Sequence, residues 1–183
     1  MKKKYDLWPI KITIAAFLIS IVMAVVTNGF MDDVNIVVAF LILLLVIFMG
    51  IIFDIIGLAV TVADEMPFHS RSTRGHKGSP EAIMLIRNAP KVSSFCNDVI
   101  GDIAGVLSGG LAATIAASLY QTFDMIPATF ISMLLTAIVS AVTVGGKAAG
   151  KGVANKYCDM IVMRIAIIIY YIMKFLPDKR KDR

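Results

Sequence analysis

The residues with chemical potential lie close together near the middle of the sequence, in Phe95-Cys96-Asn97-Asp98-Val99-Ile100-Gly101-Asp102-Ile103-Ala104-Gly105. On a helix, residues three and four apart stack on one side, so Asp98, Asp102 and Gly105 share a face. That face carries two carboxylates and a small-residue notch inside a run that is otherwise apolar to about Leu119. A carboxylate at the centre of a bilayer costs roughly 2.5–3.5 kcal/mol on insertion scales, so such a face turns toward a bundle interior or a wet cavity. Two kinds of chemistry suit it: ligation of a hard cation by oxygen, and pairing with an ammonium group from another helix.

The elements that must position this face are membrane helices. The chain has 183 residues, 58% of them hydrophobic and 17% charged, and its mean hydropathy is +0.81. These values indicate an all-α integral membrane protein, and apolar stretches near 8–28, 36–63, 97–119 and 127–146 each match the roughly 20 residues that cross about 30 Å of hydrocarbon. The formal charge of +5 sits in loops and tail, where orientation and anionic lipid account for it; nucleic acid is not an expected partner. No Ser/His/Asp order, phosphate-cradling loop or metalloprotease helix is present, so no enzyme activity is expected. His69 and His76 read as surface histidines of a loop, and Cys96 and Cys158 as reduced, packed thiols without metal-type spacing.

Charge orders the topology. Lys2, Lys3 and Lys4 precede the first span, and no small-x-small site follows it, so an uncleaved anchor is expected. The connections at 27–35 and 120–126 carry Asp32, Asp33 and Asp124 without a lysine or arginine, whereas 64–91 holds Arg71, Arg74, Lys77, Arg87 and Lys91. The positive-inside bias then predicts four crossings of the inner or plasma membrane with both termini cytoplasmic. Within the basic loop, Ser79 reads as a helix cap, with Pro80 in the first turn, and a juxtamembrane helix runs to Asn88 and ends at Pro90. Gly50 and Gly57 mark a close-packing face, as do Gly101, Gly105, Ser108, Gly109, Ala112 and Ala113. The glycines at 145–152 predict an unwound or bent exit from the fourth span. The last apolar segment, from Ile161 to Leu176, is broken by Arg164 and predicts an amphipathic helix at the inner interface.

In this order the motifs resemble the transmembrane domain of the CNNM/CorB/CorC magnesium-transport family. Asn88-Ala89-Pro90 resembles its Asn-x-Pro turn, Gly101-Asp102 stands where the family has Gly-Asn, and Phe53-Asp54-Ile55-Ile56-Gly57 occupies the place of its early acidic motif. Gly146-Lys147-Ala148-Ala149-Gly150-Lys151 resembles the closing Gly-Glu-x-x-Pro-Lys, with Lys147 in place of the Glu and Gly150 in place of the Pro. The likeness covers roughly Ile36 to Met173 and divides the chain into an extra leading span and outer loop (1–34), a family-like core (35–156), and an interfacial helix with a basic tail (157–183). The chain is expected to end before any regulatory nucleotide-binding domain.

The resemblance implies a homodimer in the lipid bilayer that transports a divalent cation, Mg2+ above all. Magnesium wants near-octahedral oxygen ligands, and Asp54, Asn97, Asp98, Asp102 and Ser108 offer them, with Mg2+ as the bound or transported ion. The alternatives stay open. Asp98 also reads as a solvated first-turn residue, and Lys147 could neutralise an aspartate across the bundle. The second function is therefore a non-transporting membrane regulator or assembly subunit that keeps the fold.

Overall fold

The computed structural model describes residues 8–29, 35–122 and 127–175. The tail and loop charges on which orientation rests (Lys2, Lys3, Lys4, Asp32, Asp33, Asp124, Lys179, Arg180, Lys181 and Arg183) lie outside the described residues. Asn35 starts the central helix, its side-chain carbonyl accepting the Val37 N–H at 3.1 Å as an N-cap. That helix, α2 (Ile36–Val62), extends about 40 Å at 1.5 Å per residue. It follows α1 (Trp8–Gly29) and is followed by three short helices, α3 (Met66–Thr73), α4 (Ser79–Arg87) and α5 (Ala89–Ser94). A π-helical turn (Phe95–Ile100) leads from α5 into α6 (Gly101–Thr122), and α7 (Ala128–Phe175) completes the order. No strand occurs among the described residues. Among the described residues, four helical segments are long and apolar enough to cross a membrane: Trp8–Val25, Ile36–Val62, Ala89–Gln121 and Ala128–Phe175. The protein is an all-α membrane protein.

Helix α2 lies between α6 and α7. One core joins Leu43, Val46 and Ile47 of α2 to Leu111, Ala112 and Ile115 of α6 and to Leu135 and Val139 of α7. A second joins the end of α2, through Ala59 and Val60, to Phe68 of α3, Ala82 and Leu85 of α4, and Ala154, Val162 and Ala166 of α7. Large apolar side chains such as Phe17, Leu45, Phe48, Val106 and Met133 point outward. In lipid that exposure carries no penalty, and contact between helices comes from small residues that allow close approach. Helix α1 is peripheral: none of Trp8–Val25 is buried, and it touches α6 and the π turn.

The structure changes several sequence expectations. The glycines at 145–152 do not unwind the chain; they lie inside α7, whose only non-helical residue is Tyr157 (φ −120°, ψ 24°). A backbone in hydrocarbon keeps its hydrogen bonds internal, and the missing side chains serve packing. A Cβ on Gly146 would collide with Ile51, and one on Gly150 would come within 2.7 Å of Ile55, so two glycines one turn apart receive two isoleucines one turn apart. The last apolar segment, from Ile161, is helical and is set off from the rest of α7 by a kink at Tyr157. It buries Val162 and Ala166 against the short helices.

At α4 the cap is Gly78, not Ser79, whose buried hydroxyl has no partner. Gly78 has a φ of 85° and meets Ile167 of α7 so closely that a Cβ would lie 2.9 Å from its Cγ1. Both facts demand glycine. Pro90 does not end a helix; it sits in the first turn of α5 and so extends the third apolar segment back to Ala89. Helix α3 carries no signal used above, although Asp64 accepts the Met66 N–H at 3.2 Å and Pro67 occupies the first turn.

Candidate intramembrane polar site

Where α2 and α7 approach through Gly146 and Gly150, the polar residues of the two helices meet. Lys147 Nζ lies 3.6 Å from Asp54 Oδ1, and the two side chains are only 28% and 16% exposed. Helix α6 closes a third side, because a Cβ on Gly101 would come within 3.4 Å of Lys147 Nζ. A side chain there would press on the ammonium group. The pair is thus enclosed by three helices, each contributing one small or charged residue.

One turn along α2 from Asp54, Gly57 receives the side chain of Asn97 so closely that a Cβ would overlap its Oδ1. Asn97 Nδ2 donates to Ser93 Oγ at 3.2 Å, whereas its Oδ1 is buried with no partner. Asn97 lies within the π turn, whose extra residue is accommodated by an i→i+5 bond from Gly101 N–H to the Cys96 carbonyl. Such turns re-aim side chains and recur at functional sites. Cys96 is buried and Cys158 half-buried, both as free thiols.

Asp98 and Asp102 do share a face, but it turns toward α1. They are exposed and line a cavity of about 410 Å³ together with Ala16, Ser20 and Ala24. Ser108 is buried, and its hydroxyl donates to the Gly105 carbonyl at 2.9 Å. The five oxygen-bearing residues therefore fall into three places: Asp54 and Asn97 along the lysine side of the bundle, Asp98 and Asp102 beside α1, and Ser108 within its own helix. Among the described residues no three Asp, Glu, His or Cys side chains converge as a metal-holding group.

Outside the spans, Glu65 links two short helices. Its carboxylate lies 3.2 Å from His69 Nε2 and accepts from Arg87 Nε at 3.1 Å. The His69 hydrogen bond, followed by the Arg87 contact, holds its pKa below the ordinary value of 4.5. His69 and His76 are both exposed. Sequence reasoning passed over this triad, for which the spacing of Glu65 and His69, four apart, was the available signal.

Comparisons with protein-family profiles, curated proteins and solved structures found no match to this chain.

Proposed function

We propose that this protein is a non-transporting membrane regulator or assembly subunit that keeps the helical frame of a divalent-cation transporter and carries its own cation, Lys147, at the intramembrane site. The observation that supports it is the 3.6 Å approach of Lys147 Nζ to Asp54 Oδ1 between α2, α6 and α7. The resemblance to the magnesium-transport family puts a glutamate at 147. Lysine there reverses the charge, and a tethered ammonium then balances Asp54 in place of a mobile ion.

Two measurements test this on the purified full-length chain. In liposomes filled with a magnesium-sensitive dye, the unmutated protein is expected to give no more influx than empty vesicles. The Lys147→Glu variant, with two carboxylates facing each other, is expected to gain a magnesium-dependent rise in melting temperature that the unmutated protein lacks. Magnesium flux through the unmutated protein would overturn the proposal.

One observation favours a second reading, magnesium transport by a homodimer in the inner or plasma membrane. Asp98 and Asp102, neither of them ion-paired among the described residues, line a cavity that could admit a hydrated ion. A Cβ on Gly105 or Gly109 of the same helix would meet nothing within 4 Å, leaving a small-residue surface for a second copy. On this reading, flux exists and is lost in the Asp98→Ala, Asp102→Ala double variant but not in Asp54→Ala.

A further inference from the structure

At the bend of α7 three cationic side chains surround one hollow. Arg71 of α3 and Lys156 and Arg164 of α7 line a cavity of about 420 Å³, with Asp159 as the only carboxylate in its lining. None of the three cations is in an ion pair among the described residues. Two rest on aromatic rings instead: Arg71 lies 6.0 Å from the Phe68 centroid and Lys156 5.3 Å from that of Tyr157. Asp159 accepts from the Cys158 thiol at 3.8 Å. The site therefore has an excess of two positive charges and an apolar rim of Met160 and Met163.

Depth identifies the occupant. From Ala128 to Tyr157, α7 rises about 44 Å at 1.5 Å per residue. A bilayer measures about 30 Å across its hydrocarbon and 40–45 Å with its headgroups, so a span entering near Ala128 brings Tyr157 to the opposite headgroup layer. Cations on aromatic rings beside methionines match that boundary, where a phosphate meets the first methylenes of an acyl chain.

We infer that the hollow between α3 and the bend of α7 binds the phosphodiester of an anionic phospholipid, with Arg71, Lys156 and Arg164 as its cationic partners. Arg71 and Arg164 supply planar N–H forks suited to phosphate oxygens, and Lys156 a point charge. The binding joins α3 to the far half of α7 and is independent of the Asp54–Lys147 pair.

The test uses the full chain in detergent, with dioctanoyl phosphatidylglycerol, dioctanoyl phosphatidylcholine and inorganic phosphate as probes and native mass spectrometry counting what is retained. The glycerol lipid should bind tightest. Removing each cation, as in Arg71→Gln or Arg164→Gln, should weaken it about fivefold, whereas Arg164→Lys should recover most of the affinity and Lys77→Gln, at an exposed residue away from the hollow, should leave it unchanged. Lys156→Gln, at an exposed residue, covers the case in which an arginine variant does not fold. Equal retention of the choline lipid, unchanged retention in all three glutamine variants, or displacement by inorganic phosphate at the same concentration as the lipid would each overturn the inference.

Discussion

At the scale of single residues, the protein turns on which charges are matched. Lys147 and Asp54 lie close enough to neutralise each other in a medium that screens charge poorly. Lys147→Ala should therefore destabilise the protein by about 2.5–3.5 kcal/mol, the cost of an unmatched carboxylate in a span. The charge-exchanged double variant, Asp54→Lys with Lys147→Asp, should recover most of that loss in detergent melting curves; failure to recover would mean that the contact does not hold the helices together. Glu65 acts in the opposite regime, outside the spans. Because its folded pKa lies below 4.5, its contribution is complete above the unfolded value and fades as pH falls through the folded one. Melting temperature followed from about pH 6 down to about pH 3 should thus fall more steeply for the unmutated chain than for Glu65→Gln. The two aspartates of one face were readable from their spacing alone. That Asp54 would meet Lys147 could be named only as one option, because a partner 93 residues away is chosen by packing rather than by local pattern.

At the scale of elements, hydropathy located the spans well, and glycine was where reading by propensity failed. In water a run such as Gly145-Gly146 with Gly150 and Gly152 weakens a helix. In lipid the same residues stay helical and become a seat for Ile51 and Ile55, so the sign of the argument depends on the solvent around the backbone. The four glycines should separate in their response. Gly146→Leu should cost about 1–3 kcal/mol or prevent folding, since even a Cβ collides with Ile51. Gly152→Ala faces open space and should be neutral or stabilise by up to about 1 kcal/mol. Equal effects at both, measured by thermal denaturation in the same detergent, would show that α2 and α7 do not meet there. The bend at Tyr157 left no mark in the sequence, since tyrosine neither breaks nor caps helices, and α3 was hidden because eight residues of mixed polarity have no hydrophobic period to detect.

At the scale of the whole molecule, orientation follows from charge placed between helices. Arg71, Arg74, Lys77, Arg87 and Lys91 all fall between α2 and α6, and from the positive-inside bias we propose that this connection faces the cytoplasm. In a background without Cys96 and Cys158, cysteines at Asn28 and Gln121 should react with an impermeant thiol reagent on intact cells, and cysteines at Ser72 and Asp182 should react only after the cells are opened. Labelling at Asp182 from outside would place the end of α7 across the membrane as a fifth crossing. The placement of α1 has a separate consequence. It contributes one wall of the hollow around Asp98 and Asp102, yet none of Trp8–Val25 is fully buried, and the Trp8 ring lies 5.2 Å from Lys91 Nζ. Both cores are built without α1, so a chain lacking it should keep the packing of α2 with α6 and α7 while leaving the two carboxylates open on that side.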